Sequence, residues 1–268
     1  MSKQLFYSEE STGSAYIESN HYQLAGYSMS SPVKLTVNED CAGWIDLNEE
    51  TSVFLVADGL GGLPGGHEIS SLAVKTILQH LESHKEKASG HGLILDAIDK
   101  ANRKILDAAT GGATTLVLIE LRKGVVRPYW IGDSVVLITG QRGVIKFISA
   151  PHSPTGYLQE AGLIDEAQAM SHEQRHVVSN VLGSDDTHIE IGPTIELNDL
   201  DTIVIASDGL FDNLSTEEVA DRVRKGSLEK AITQLAEDCV QTMLQQHETR
   251  EGSPDDLTIL AIRQNLNS

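Results

Sequence analysis

Two apolar runs in this sequence each end on an aspartate that is followed at once by glycine. The first run is FLVADGLGG at residues 54–62, and the second is TIVIASDG at residues 202–209. A buried strand that ends in this way delivers a carboxylate to the edge of a sheet, and the glycines let backbone and solvent approach it. The two strand ends therefore predict one shared site around Asp58 and Asp208.

The pattern of the other elements predicts two packed sheets with helices outside them. Apolar residues at three- and four-residue spacing indicate helices that follow residue 69, residue 94 and residue 228. Short apolar runs with glycine turns between residues 114 and 148 are typical of an antiparallel meander. We therefore expect an α+β protein in which residues 1–268 form a single domain.

Three segments depart from this pattern. Residues 1 to about 30 have weak periodicity and predict an edge strand and a loop. Residues 33–37 then lead into a polar, acidic loop at residues 38–40. Residues 151–181 predict an excursion from the sheet that contains one short helix at residues 159–164.

Charge and cysteine content exclude several classes of function. A formal charge of −19 opposes binding to nucleic acid or to an anionic membrane. No stretch is apolar enough to span a bilayer, and the first residues lack an apolar run of signal-peptide length. Cys41 and Cys239 stand far apart, which argues against a zinc cluster and leaves a single disulfide as the less favoured alternative. We therefore expect a cytoplasmic protein.

Five aspartates lie beside glycine, serine or turn residues, and four of them mark the beginning or end of an apolar run: Asp40, Asp58, Asp133, Asp208 and Asp255. Each one alone is most simply a turn or cap residue. Gathered at one sheet edge they could not all stay ionised without cations, because like charges raise one another's pKa. Carboxylate oxygens suit Mg²⁺ and Mn²⁺, and a pair of such ions serves water-mediated displacement at phosphorus.

Other chemistries fit the sequence less well. The glycines of residues 59–66 lack the Gly-Lys-Ser/Thr of a nucleotide-binding loop, and residues 58–60 are not the DxD of an aspartyl-phosphate enzyme. No GxSxG elbow occurs. Four histidines could donate a proton to a leaving group, although packing or surface roles are the simpler interpretation: His67, His152, His172 and His176.

As a set, six motifs resemble the 2C-type, metal-dependent serine/threonine protein phosphatases (the PPM family) of bacterial type. In the order of the family they are NED at 38–40, VADGLGG at 56–62, ATTLV at 113–117, WIGDS at 130–134, IASDGLFDNLS at 205–215 and DDLT at 255–258. The resemblance covers about residues 28–263. It implies a four-layer α-β-β-α sandwich of two mainly antiparallel sheets flanked by helix pairs, with a flap at about residues 151–181.

The resemblance also implies a ligand set for two Mn²⁺ or Mg²⁺ ions. Asp58 would bridge both ions, and the carbonyl oxygen of Gly59 would bind one of them. Asp208 and Asp255 would hold the other ion. The implied reaction is hydrolysis of phosphoserine and phosphothreonine in proteins, with Asp58 and Asp208 acting through a water that bridges the ions.

Three further acidic residues complete the implied site. Glu39 and Asp40 would act through metal-bound waters, and Asp133 would form a third, weaker ion site with Asp208. A phosphorylated protein is the implied substrate, and a cognate serine/threonine kinase system is the implied partner.

The sequence departs from the family at three positions. Leu35 stands where members usually carry an arginine that binds the substrate phosphate. The adjacent Lys34 is our candidate phosphate ligand, but its ammonium lacks the paired N–H donors of a guanidinium. The usual DN pair reads Asp255-Asp256, and Leu60 replaces the histidine of animal members. The change at Leu35 leaves one alternative, an inactive regulatory module that binds phosphoproteins.

Overall fold

The structure, a computed structural model, describes residues 5–7, 13–19, 21–34, 36–63, 65–85, 91–245 and 252–265. The strands in these ranges are β1 (Leu5–Tyr7), β2 (Gly13–Glu18), β3 (Tyr22–Met29), β4 (Asp40–Asp46), β5 (Thr51–Asp58), β6 (Leu116–Arg122), β7 (Val125–Ile131), β8 (Val135–Thr139), β9 (Ile145–Ile148), β10 (Glu190–Ile191), β11 (Ile195–Glu196), β12 (Thr202–Ala206) and β13 (Leu257–Gln264). The helices are α1 (Gly66–His84), α2 (His91–Ala108), α3 (Pro154–Glu160), α4 (Glu166–Met170), α5 (Asp208–Phe211), α6 (Thr216–Val223) and α7 (Leu228–Leu244).

The strands form two antiparallel sheets. The first has the order β1-β4-β5-β6-β7-β10, with β11 also paired to β7, and the second has the order β2-β3-β13-β12-β8-β9. Helices α1 and α2 pack on the outer face of the first sheet, and α6 and α7 pack on the outer face of the second. The predicted four-layer α-β-β-α arrangement is therefore confirmed.

Strand β5 shows why its sequence is apolar without alternation. Val53 and Leu55 pack with the apolar residues of α1 and α2, whereas Phe54 and Val56 pack between the two sheets against residues such as Ile205. Both faces of the strand are thus buried, and each side chain is removed from water. This double burial fixes the strand that carries Asp58 at its end.

Two strands near the N-terminus differ from the prediction. Strand β2 is an edge strand of the second sheet, as predicted, but β3 lies inside that sheet, between β2 and β13, where a loop was predicted. Strand β4 begins at Asp40, inside the predicted acidic loop, and pairs along its length with β5. The sequence of β4, DCAGWID, contains small residues and a glycine, so it lacks the apolar run that marks the other buried strands. Leu35 lies outside the described residues.

The excursion at residues 151–181 contains two short helices, and the helix predicted at residues 159–164 is misplaced. Helix α3 begins earlier because Ser153 caps it, accepting a hydrogen bond from the Gly156 N–H, and Pro154 occupies its first turn. Helix α4 follows with a capping box at Asp165. We call residues 151–181 the flap.

The remaining predictions about cysteines and membrane spans can also be compared with the structure. Cys41 and Cys239 are buried and form no disulfide with each other. Each lies in a different apolar cluster, one beneath α1 and α2 and the other beneath α6 and α7. None of the helices in the described ranges is long and apolar enough to cross a membrane.

Candidate metal centre

The five predicted aspartates lie at one end of the sandwich, where strands of both sheets begin or end. In the first sheet, Asp40 opens β4 and Asp58 closes β5, and the two residues are direct partners in the register. In the second sheet, the end of β12 pairs with the beginnings of β8 and β13. Asp133 precedes β8, Asp208 follows β12 and Asp255 precedes β13, so these three share that edge.

Threonines of the ATTLV motif hold the backbone at Asp58. The Asp58 N–H donates to Thr115 Oγ1 at 3.0 Å. Its carbonyl oxygen accepts from Thr114 Oγ1 at 2.7 Å and from the Thr115 N–H at 2.8 Å. Thr115 Oγ1 also lies 2.7 Å from Ser134 Oγ, beside the turn that carries Asp133. These bonds fix the strand end that carries the central carboxylate.

Asp40 connects the two sheets and has one oxygen without a partner. Its Oδ2 accepts from Ser207 Oγ at 2.8 Å, and Ser207 Oγ accepts from the Thr258 N–H at 3.0 Å. Asp40 is fully buried, and its Oδ1 has no hydrogen-bond partner in the described structure. A buried acceptor without a partner is costly, so this oxygen is suited to a water or a cation.

Burial and mutual repulsion raise the pKa values of the clustered carboxyl groups. Burial, together with the charges of Asp40 and Asp208, raises the pKa of Asp58 well above its ordinary value. Burial and the charge of Asp133 do the same to the pKa of Asp208. Burial also raises the pKa of Asp40 to about 7 and that of Asp133 to about 6. Ionising the whole cluster at neutral pH therefore requires compensating positive charge.

The donor chemistry of this cluster fits a hard divalent cation, because the ligands are all oxygen atoms. In the ranges that the structure describes, no three His, Cys, Asp or Glu side chains already form a group that could hold a metal ion. Lys34 Nζ lies 2.7 Å from Asp255 Oδ1 and offsets one of the charges. The assignments of individual carboxylates as metal ligands therefore stay predictions.

Close backbone contacts leave no room for a Cβ atom at Gly59, and at Gly66 a Cβ atom would displace the Glu39 carboxylate. A Cβ atom on Gly59 would lie 2.2 Å from the carbonyl oxygen of Gly66, and a Cβ atom on Gly66 would lie 2.3 Å from Glu39 Oε1. The Gly59 N–H donates to the Glu39 carbonyl oxygen at 3.0 Å, and Ser70 Oγ donates to the same oxygen at 2.6 Å. The loop thereby brings the start of α1 against Glu39 and the end of β5.

Asp256 has a structural role that the sequence did not reveal. Its Oδ1 accepts from the Ser31 N–H and its Oδ2 accepts from the Glu39 N–H, both at 2.7 Å. The carboxylate thus joins the segment before β13 to the segments on either side of Lys34. The only sequence signal was the DD pair at residues 255–256.

Two adjoining cavities open at this end of the sandwich. The first, which we call the carboxylate cleft, has a volume of about 610 Å³ and is lined by Glu39, Asp58, Asp133, Asp208 and Asp255 together with Lys34, Arg175 and His176. The second, the flap groove, has a volume of about 410 Å³ and lies between the flap and α5. Asp133, Arg175 and Asp208 line both cavities. Arg175 was not among the predicted site residues.

The structure gives different surroundings to the four candidate histidines. His152 is buried, and its Nδ1 accepts from the Gly132 N–H at 3.2 Å. His67 Nδ1 lies 3.0 Å from the carbonyl oxygen of Asn38, and His172 Nδ1 accepts from a backbone N–H within its own turn. His176 lines the carboxylate cleft, with Nδ1 3.6 Å from Asp212 Oδ2. Packing and turn roles thus account for the first three.

Comparisons with known proteins identify the family of this chain. Residues 32–251 match the family described as Protein phosphatase 2C. The chain is 24% identical over 239 residues to a serine/threonine phosphatase stp of Listeria welshimeri, covering 85% of this chain and 91% of that protein.

Solved structures share the fold. The Mycobacterium tuberculosis serine/threonine phosphatase PstP/Ppp superposes with a TM-score of 0.75 at 22% identity, covering 91% of this chain and 98% of that one. A catalytic domain of PstP in complex with two manganese ions superposes with a TM-score of 0.71 at 20% identity, with the same coverage of both chains. The chain therefore belongs to the protein phosphatase 2C family, the family of metal-dependent serine/threonine protein phosphatases that its motifs predicted.

Proposed function

We propose that this chain removes phosphate from phosphoserine and phosphothreonine residues of other proteins, using Mn²⁺ or Mg²⁺. One observation carries the proposal: the carboxyl groups of Asp58, Asp133 and Asp208 line one cavity at the junction of the two sheets, where burial and the repulsion between carboxylates raise their pKa values. They line an open cleft in a chain of the 2C family. Their repulsion is relieved by divalent cations, which the reaction also needs.

Each carboxylate has a proposed role in holding these ions. At the end of β5, Asp58 would act as the shared ligand and the Gly59 carbonyl oxygen would bind one ion, and Asp208 and Asp255 would hold the other ion from the second sheet. When bound, the ions lower the pKa of a water molecule and offset the negative charge that develops on the phosphate. The chain contributes a fixed strand end through Thr114.

Asp40, Glu39 and Asp133 have proposed roles around this pair of ions, through ordered waters or a third ion. Asp40 keeps one oxygen on Ser207, beside Asp208, and has the second oxygen available for an ordered water. Glu39 packs against the glycine loop, and this position supports the same role of binding a water for Glu39. Asp133 lines both cavities with Asp208, which suits a third, weaker ion site.

The substrate and the setting follow from this reaction. A phosphorylated protein is the substrate, and a cognate serine/threonine kinase system would supply it. A cytoplasmic location agrees with a phosphatase that acts on the products of such a kinase. The alternative of an inactive binding module is not favoured, because the 2C family match and the serine/threonine phosphatase relatives support the enzyme.

The test is an activity assay with p-nitrophenyl phosphate and a phosphothreonine peptide, with and without Mn²⁺. We expect Mn²⁺-dependent release of phosphate by the wild type and a loss of at least about a hundredfold in Asp208→Asn, the size of effect expected when a metal-centred electrostatic contribution is removed. Asp186→Asn makes the same chemical change at an exposed loop position and is the matched control. Metal-independent activity, or full activity of Asp208→Asn, would refute the proposal.

A further inference from the structure

The carboxylate cleft needs a cation for the substrate phosphate in addition to its metal ions. A phosphate monoester carries up to two negative charges, and this cleft is lined mainly by carboxylates. The position at which family members place an arginine for this purpose is Leu35. An aliphatic side chain cannot supply the charge, so the cation must come from another part of the chain.

Lys34 is poorly suited to this task in the described structure. Its Nζ lies 2.7 Å from Asp255 Oδ1, and its side chain is 45% exposed. Freeing the ammonium for phosphate would break its salt bridge to Asp255. A solvated ammonium also acts as a point charge without the paired donors of a guanidinium.

Arg175 has the properties that Lys34 lacks. It lies in the flap after α4, and it lines both the carboxylate cleft and the flap groove. Its Nε is buried without a hydrogen-bond partner, and no salt bridge to it is found among the described residues. A buried N–H donor without a partner is rare and marks a place where an acceptor is expected.

Arg175 lies near the carboxyl group of Asp212 but does not form a salt bridge with it among the described residues. Burial and the charge of Asp133 raise the pKa of Asp212 to about 7, and the charge of Arg175 offsets part of this rise. Arg175 is thus close enough to Asp212 to feel its charge, but it forms no hydrogen bond to it. Its guanidinium donors remain available for an incoming anion.

We propose that Arg175 binds the phosphate group of the substrate, so that the flap supplies the phosphate-binding cation that position 35 lacks. The inference rests on the proposed function, because it names the residue that anchors the substrate of that same site. A guanidinium offers two parallel N–H donors that match two phosphate oxygens. Since Arg175 also lines the flap groove, the phosphorylated residue would enter the cleft beside the flap.

The test measures phosphate binding apart from turnover. Thermal unfolding of the Mg²⁺-loaded protein is followed at increasing concentrations of inorganic phosphate, for the wild type and for Arg175→Gln, Arg175→Lys, Lys34→Gln and Arg142→Gln. Arg142 is exposed and provides the matched arginine control. Mn²⁺ binding to each variant, measured by electron paramagnetic resonance, shows whether the metal centre is intact.

We expect Arg175→Gln to weaken phosphate binding by at least about tenfold, the loss expected for a charge-assisted hydrogen bond, with Mn²⁺ binding unchanged. Arg175→Lys should lie between this variant and the wild type, and KM for a phosphothreonine peptide should rise in parallel. Equal phosphate binding by Arg175→Gln and Arg142→Gln would overturn the proposal, as would a larger loss in Lys34→Gln than in Arg175→Gln. A wild type that binds phosphate through Arg175 without hydrolysing peptides would refute only the proposed function.

Discussion

Asp40 and Asp58 lie directly opposite each other across β4 and β5 and therefore share one face at the sheet edge. Asp40 is fully buried, and only one of its two oxygens has a hydrogen-bond partner. Opposed like charges at such a position destabilise a sheet unless a cation lies between them or one group is protonated. The stability of the metal-free protein should therefore depend on pH in a definite direction.

We expect the metal-free protein to lose stability as pH rises from about 4 to 8. The folded-state pKa of Asp40 is raised to about 7 and that of Asp133 to about 6, above their value of 3.8 in the unfolded chain. A raised carboxyl pKa contributes stability that is fully present below the unfolded value and is lost as pH rises through the folded value. Each such group changes the free energy of unfolding by up to about 1.4 kcal/mol per pH unit.

Urea unfolding in EDTA between pH 5 and 8 measures this loss. Asp40→Asn should flatten the dependence between pH 5 and 7, and Asp186→Asn, at an exposed position, should leave it unchanged. Saturating Mg²⁺ should restore stability at pH 8, because the cation favours the ionised carboxylates. Metal-free stability that rises over this pH range would contradict the expectation.

The glycine loop offers a matched pair of substitutions. A methyl group at Gly59 would lie 2.2 Å from the carbonyl oxygen of Gly66, whereas one at Gly61 would meet only Glu39 Oε2 at 3.6 Å. We expect Gly59→Ala to lower the free energy of unfolding by about 1–3 kcal/mol through forced backbone shifts, and to weaken Mn²⁺ binding. Gly61→Ala should stay within about 0.5 kcal/mol of the wild type. Chemical unfolding and Mn²⁺ titration of both variants decide the matter, and equal losses would contradict the steric explanation.

The sequence predicted the fold and the clustering of aspartates where local patterns carry the information. Strand β5 is buried on both faces, so its apolar run and its terminal Asp58 stand out without any knowledge of the partners. The same holds for β12 and Asp208. Helices α1, α2 and α7 show the three- and four-residue spacing of a single buried face.

Features that depend on distant contacts could not be predicted in this way. Strand β4 is rich in small residues, and it is stabilised by pairing with β1 and β5. Asp256 bonds to backbone groups more than 200 positions away in the chain. Arg175 is a single basic residue in an irregular segment, and only the fold places it at the cleft. The periodicity of neighbouring residues does not depend on such long-range contacts and therefore cannot predict them.

Asp256 should contribute to the stability of the fold through its two hydrogen bonds to distant backbone groups. Its two oxygens accept from the Ser31 and Glu39 N–H groups at 2.7 Å. Asp256→Ala leaves both donors without a partner and should lower the free energy of unfolding by about 2–4 kcal/mol, since each lost partner costs about 1–2 kcal/mol. Asp256→Asn keeps one acceptor and should lose about half as much. Urea unfolding at pH 7 measures both changes, and an Asn variant as unstable as the Ala variant would show that the two bonds do not act separately.

His152 should make the base of the flap sensitive to acid. The backbone N–H of His152 donates to the Gly132 carbonyl oxygen at 2.9 Å, and its backbone carbonyl oxygen accepts from the Ser179 N–H at 2.8 Å. His152 therefore joins the two ends of the flap to the turn that precedes Asp133. Nδ1 accepts from the Gly132 N–H and lies 2.9 Å from Asn180 Nδ2, which leaves no room for a proton on that nitrogen. Burial and the charge of His188 lower the pKa of His152 from 6.5 to about 4.

A histidine with a lowered pKa contributes stability that is present above its unfolded value and is lost as pH falls through its folded value. We therefore expect the wild type to lose this contribution between about pH 6.5 and 4. His152→Asn offers an amide oxygen to the Gly132 N–H and does not titrate, but it loses the ring contact with Trp130. The variant should be about 1–2 kcal/mol less stable than the wild type at pH 7, and this difference should shrink toward pH 4.5. Urea unfolding between pH 7 and 4.5 tests the expectation, with His21→Asn as the control for an exposed imidazole. A stability difference that stays constant with pH would show that protonation of the His152 ring does not destabilise the folded protein.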